Sequence, residues 1–245
     1  MIRFGGVIVS RRNKQMVGLA KRWPIELWGS DMNDMAQTIA KLAHSDMPAN
    51  GLAEVPSRPD IAQAFRSILS WIGENPDRDG LRDTPDRLIR AYQEYFAGYR
   101  QDPEQILQRT FEEVDGYDEM VVLRGIPFES HCEHHVSPII GRAWVAYVPS
   151  RRVVGISKLA RVVDAYAKRL QIQERLTAQI ANTIEDVLKP QGVGVVIKAA
   201  HHCMSSRGIH LHGTDLVTSR MLGCFRDSPM TRQEFLSMVH SSIEK

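Results

Sequence analysis

Past residue 118 the apolar residues alternate between the strand repeat and the helix repeat, and this alternation restricts the fold more than any other feature. Residues 120–123 and 139–148 are rich in Val, Ile and aromatics and read as strands, the second stopped by Pro149. Residues 152–156 read as a third, short strand. Ser157 is expected to cap a helix that turns Leu159, Val162, Val163 and Tyr166 inward, and a longer helix then buries Leu176, Ile180, Ile184, Val187 and Leu188. Residues 192–200 return to strand with residues 215–219 as their partner. A capping box, Thr231-x-x-Glu234, opens a last helix that buries Phe235, Leu236, Val239 and Ile243. Two helices come first. Pro59-Asp60 opens one with Ile61, Phe65, Ile68, Leu69 and Ile72 on a face. Thr84 caps the other, with Pro85 at its first position, Leu88, Tyr92, Tyr95 and Phe96 as its stripe, and Gly98 at its end. The order of helices, strands, two helices, strands and helix predicts an α+β fold, an antiparallel sheet with helices packed on one face.

Residues 1–58 read as an N-terminal extension, expected to be poorly ordered. Up to Arg22 they hold six Lys or Arg and no acid, and the first carboxylate is Glu26. Residues 4–9 are too short an apolar stretch for a signal peptide, and Arg11 and Arg12 stand where a cleavage site would be. A linker-like run through Pro48, Gly51, Pro56 and Pro59 leads into a body at 59–245, with N-terminal helices in 59–118 and the sheet core in 119–245. Of the 245 residues 43% are apolar and 24% charged, which excludes a disordered or coiled-coil chain. The net charge of +2 argues against a dedicated nucleic-acid binder, and no apolar run approaches the roughly 18 residues of a membrane span. Three cysteines make no disulfide framework at this length, so a reducing cytoplasm with thiols free for metal or catalysis is expected.

The densest chemistry lies in Ser130-His131-Cys132-Glu133-His134-His135 and in His201-His202-Cys203. Cys-x-x-His brings a thiolate and an imidazole together on one loop, the ligand types zinc takes. If the strand before His201 stays extended, His201 and Cys203 share a face and His202 points away. Cys132, His135 and Cys203 then give three ligands and leave one position open, the catalytic arrangement. His134 and His201 are the unused imidazoles available as acid and base. A closed structural site, with His134, His201 or His202 as fourth ligand, remains open on spacing alone.

Four cations stand near helix starts or the second ligand segment: Arg87, Lys158, Arg161 and Arg207. Backbone N–H groups at a helix start already favour anions, and a cation there deepens the site. An isolated Arg87 reads first as a solvated surface residue. Ser157-Lys158-x-x-Arg161 is less ordinary, because an exposed first turn prefers acids. Glu174, in Gln173-Glu174-Arg175, either complements a helix dipole in solvent or accepts from the paired N–H donors of a guanine edge, which adenine lacks.

Together, Cys132-Glu133-His134-His135, Gly155-Ile156-Ser157-Lys158-Leu159-Ala160-Arg161, Gln173-Glu174-Arg175-Leu176 and His201-His202-Cys203-Met204-Ser205-Ser206-Arg207-Gly208 closely resemble the GTP cyclohydrolase I family, from about Ile61 to the C-terminus. The resemblance implies a zinc enzyme that converts GTP and water into formate and 7,8-dihydroneopterin triphosphate, feeding folate or tetrahydrobiopterin synthesis and one-carbon metabolism. It implies Cys132, His135 and Cys203 as zinc ligands and His134 and His201 as proton carriers. It also implies Glu174 on guanine, Gln173 on the ribose, and Arg87, Lys158, Arg161 and Arg207 on the triphosphate. Ser157 would assist the later ribose rearrangement. The implied fold is the tunnelling fold, assembled as a homodecamer of two pentameric rings with sites between subunits.

Two other readings stand beside this one. A tunnelling-fold pterin or deazaguanine enzyme keeps the fold and changes the chemistry, and a zinc module that binds nucleotide or nucleic acid without catalysis lacks the chemistry altogether. His202, His210, His212 and Cys224 match no role, Cys224 being expected as a small buried apolar residue.

Overall fold

The computed structural model describes residues 56–108, 110–111 and 117–241, all within one unit, Ala49–Lys245. The expected N-terminal extension, up to residue 55, and Ile243 lie outside the described residues. Helices α1 (Arg58–Trp71) and α2 (Thr84–Tyr95), a 3-10 turn (Ala97–Arg100) and helix α3 (Pro103–Leu107) precede the sheets. Strand β1 (Thr110–Phe111) pairs with β4 (Val153–Val154) in a short separate ladder. The main sheet holds β2 (Val121–Cys132), β3 (Pro138–Val148), β5 (Leu170–Gln171), β6 (Gly192–His201) and β7 (Asp215–Gly223). Its order is β5-β2-β3-β6-β7, antiparallel except between β2 and β5. Helices α4 (Ile156–Ala167) and α5 (Gln173–Leu188) lie between β4 and β6 in sequence. A helical turn, α6 (His202–Ser205), separates β6 from β7, and α7 (Cys224–Asp227) and α8 (Pro229–His240) close the chain. Two antiparallel strand pairs flanking a helix pair make the α+β arrangement that the pattern predicts, in the tunnelling-fold form that the resemblance implies.

The strand period builds two cores. On β3, Val145 and Tyr147 face α4 and α5, while Trp144, Ala146 and Val148 face the other way. The larger core joins Val193, Val195 and Ile197 of β6 to Leu159, Val162, Val163, Leu176, Ile180 and Ile184, all fully buried. Each such aliphatic side chain contributes about 1.5–3 kcal/mol by leaving water. The inward stripes expected for α4 and α5 are therefore present. The sheet's opposite face is also covered at one end, where Phe225 and Phe235 pack edge-to-face on each other in a cluster with Trp144 and Val196. The C-terminal helix thus adds a second, smaller layer to the one-faced packing expected.

Several expected boundaries move. The first strand is expected over residues 120–123 alone. Instead Gly125, at φ 65, forms a bulge between Leu123 and Ile126, and the ladder to β3 continues as far as His131↔Pro138. Pro127 is tolerated because β5 pairs only with His131 and Cys132, leaving β2 an edge at Pro127. Helix α4 is capped by Gly155, which puts Ser157 inside its first turn, and Asp83 rather than Thr84 precedes α2. Ser228, accepting from the Thr231 amide, caps α8 in place of Thr231. On α1 Leu69 is buried and Phe65 packs edge-on against Tyr92, while Ile68 and Ile72 of the stripe, and Trp71 at 84%, stay exposed.

Candidate metal centre

Strand β3 brings the two ligand segments together. Its first residues pair on one side with β2, His131↔Pro138, and on the other with β6, Ile139↔His201. Cys132 and His201 therefore sit at the same end of the sheet with one strand between them. After Cys132 the chain turns tightly: the Cys132 amide donates to Ser137 O at 2.8 Å and the Val136 amide to Cys132 O at 2.9 Å, with Val136 held at φ 50. A β-branched residue in that region is strained, and the turn directs His135 back over Cys132. On the other side the extended backbone ends at His201, and His202 begins a helical turn. The strand-parity expectation for His202 and Cys203 therefore rests on an extended chain that is not present. The turn nonetheless carries Cys203 to the same place. The ligand atoms of Cys132, His135 and Cys203 lie within 4.8 Å of one another, and His135 turns Nδ1 to Cys132 Sγ at 3.8 Å.

These residues fit a metal by their chemistry. The group holds two thiols and an imidazole and no carboxylate, a donor set for zinc rather than for calcium or magnesium. Burial and the adjacent Cys132 thiol push the Cys203 thiol above its ordinary value, with Arg207 pulling the other way. A bound cation would favour the thiolate form of Cys203 that this setting opposes.

His201 stands beside the group with its tautomer fixed. Gln173, 1% exposed, donates through Nε2 to Ile197 O at 3.1 Å, Leu216 O at 3.0 Å and Thr218 Oγ1 at 3.1 Å. Three acceptors around that nitrogen set the amide's orientation, and its oxygen lies 2.8 Å from His201 Nε2. A carbonyl oxygen only accepts, so His201 carries its proton on Nε2 and leaves Nδ1 as a base. Burial holds this imidazole below its ordinary value, with Glu174 opposing, so it is neutral near pH 7. Gln173 is the residue expected on the ribose. Its amide is committed inside the fold, where it positions His201.

The ligand loop is tied down by residues to which sequence reasoning gave no role. Glu133 donates its amide to Gln171 O at 3.0 Å, and its carboxylate accepts from Arg175. Arg175 also donates to Leu170 O at 3.0 Å and Gln171 Oε1 at 3.2 Å. The first turn of α5, with Glu174 exposed at its start, is thus fastened to the metal loop. On the other side of the loop, His131 is buried against Tyr95 and Phe96, ring centroids 4.7 and 5.4 Å away. Glu133 and Arg175 lie within the family-like motifs; an acid between two ligands was the available signal.

Of the four expected cations, the structure brings one to the centre. Arg207 Nη1 lies 2.8 Å from His135 Nε2. His134 is exposed on the loop beside His135. Ser157, Lys158 and Arg161 stand on the first turns of α4, which carry no acid, and Arg87 pairs with Asp83 on its own helix at 3.5 Å. Among the described residues no hydrogen bond or ion pair joins Ser157, Lys158, Arg161 or Arg87 to the metal group. His210, at φ 49, and His212 are exposed and outside that group; Cys224 is half-buried.

Comparison with known proteins bears on this geometry. A solved structure described as the archaeosine synthase QueF-like in the apo form aligns with 42% of this chain and 93% of its own, at 21% identity and a TM-score of 0.36. A sequence profile of GTP cyclohydrolase I matches residues 61–240, which takes in α2, all the sheet strands, both ligand segments and the helices between them. With nearly three-quarters of its length matched by that profile, the chain belongs to the GTP cyclohydrolase I family.

Proposed function

We propose that this protein hydrolyses GTP to formate and 7,8-dihydroneopterin triphosphate, consuming one water. The observation that carries the reading is a three-ligand group, Cys132, His135 and Cys203, beside a histidine whose Nδ1 is held free as a base. Zinc held by those three residues would supply Lewis acidity for the attack of water on C8 of the purine. His201 takes and returns protons through Nδ1, and its neutral state near pH 7 suits that task. His134, exposed beside the ligands, serves as the second proton carrier, toward N7 as the imidazole ring opens. Glu174 accepts from the guanine N1–H and its exocyclic amine. Arg207, Lys158, Arg161 and Arg87 neutralise the triphosphate, and Ser157 attends the later rearrangement of the ribose. The distance in the chain between α4, α2 and the metal group is accounted for by a homodecamer whose sites lie between subunits. The partly unpartnered stripe of α1 and the exposed edge strand β7, with Val217 59% exposed, support such an assembly. No described helix is long and apolar enough to cross a membrane; unpaired Cys132, Cys203 and Cys224 support a cytoplasmic setting.

The test is incubation of the zinc-loaded full chain with GTP. Equal amounts of formate and of a pterin that fluoresces after oxidation are expected, both abolished by a chelator. His201→Ala should keep its zinc and lose turnover by roughly 100-fold or more. A His201→Ala protein at the parent rate, or saturable GTP binding without formate, contradicts the reading.

A further inference from the structure

The contact between Arg207 and His135 has a donor and an acceptor that can be assigned. Guanidinium has five N–H donors and no acceptor, so at 2.8 Å the imidazole Nε2 accepts from Arg207. A neutral ring carries one proton, which this leaves on Nδ1, the nitrogen turned to Cys132 Sγ at 3.8 Å. With Nε2 turned to Arg207, Nδ1 on the Cys132 side is the ring atom left to bind a metal. A nitrogen that gives its lone pair to a cation has no place for a proton, and a neutral ring must then carry it on Nε2. Nε2–H would face the N–H of Arg207, donor against donor. The contact therefore belongs to the metal-free chain and is lost when His135 binds through Nδ1.

We propose that Arg207 closes on His135 while the Cys132, His135 and Cys203 group holds no metal, and that metal binding frees its guanidinium to receive an anionic ligand. The inference rests on reading that group as a metal centre. Arg207 is exposed and has no ion-pair partner among the described residues, so nothing else there holds the freed side chain. The consequence is a fixed order of assembly: the anion site is complete only in the metal-loaded chain. By linkage, an anion that takes Arg207 also strengthens metal binding, by the same factor.

Two measurements on the full chain test this without turnover. Zinc affinity, measured by competition with a chromophoric chelator, is expected to be about three- to tenfold tighter in Arg207→Met than in the parent, the hydrogen bond that no longer has to break outweighing the loss of a cation near the Cys203 thiol. The gain should persist at ~0.5 M salt, where charge repulsion between Arg207 and the incoming ion is largely screened. In the unmutated protein, phenylglyoxal should label Arg207 several-fold faster after zinc loading than before, followed by mass spectrometry of its peptide. An unchanged zinc affinity in Arg207→Met, a gain that vanishes in salt, or a labelling rate that does not rise overturns the proposal. A parent protein that binds no zinc would instead remove the reading on which it rests, and the same titration distinguishes the two.

Discussion

Gln173 shows how much of a site can depend on one buried amide. Its nitrogen serves three acceptors on β6 and β7 and its oxygen holds His201, so truncation strands several polar groups together. Gln173→Ala is expected to cost about 1–3 kcal/mol in denaturant unfolding, retain stoichiometric zinc, and lower formate release by at least tenfold because His201 loses its fixed tautomer. Glu185 offers a test by pH. Burial raises its carboxyl pKa, with Lys189 pulling it down and Asp186 pushing it up. A folded value above the unfolded one means that its contribution favours folding in acid and is lost as pH rises through the folded value. Glu185→Gln should therefore unfold at a higher temperature than the parent near pH 7, with the gap closing toward about pH 4. Equal melting temperatures across that range would show that the burial of Glu185 has no energetic effect. At this scale the gathering of Cys132, His135 and Cys203 was legible, Cys-x-x-His being a local pattern and His-His-Cys a second dense one. The work of Gln173 was not, since its partners Ile197, Leu216 and Thr218 reach it only through the fold.

The elements were legible where burial repeats. Val162, Val163, Leu176, Ile180 and Ile184 occupy the faces that their spacing predicts, and β6 pairs with β7 as expected. Strand β2 was half missed, because a glycine at positive φ looks like a stop in sequence and acts as a bulge in the ladder. Cap positions slipped by one to three residues, since Ser157, Thr84 and Thr231 are all chemically competent caps and only the incoming chain direction decides among neighbours. The 3-10 turn after α2 had no sequence signal, yet it fastens the N-terminal helices to α4. The Gly98 amide donates to Lys168 O at 3.0 Å, and a Cβ there would meet Ala165 O at 2.2 Å and Lys168 O at 2.7 Å. Gly98→Ala must push the turn off the end of α4. It is expected to destabilise by about 1–3 kcal/mol and to make α1 and α2 cleavable by protease before the sheet core. Cleavage that begins in the core would contradict this attachment.

Across the whole molecule, the described chain leaves apolar surface where an assembly would cover it. Ile68, Trp71 and Ile72 lie exposed on α1, and Leu216 and Val217 on the edge strand β7. Light scattering is expected to give ten times the 27.7 kDa chain mass, whereas a monomer would leave Arg87, Lys158 and Arg161 without a route to the metal group. Narrower than the assembly is the proposed centre, in which Cys132, His135 and Cys203 would hold an ion and leave one place open. X-ray absorption of the zinc-loaded protein measures that directly. Two sulfurs at about 2.3 Å, one imidazole nitrogen near 2.0 Å and one oxygen that is not from the protein are expected. A second imidazole in place of that oxygen, or a coordination sphere without sulfur, would contradict the account.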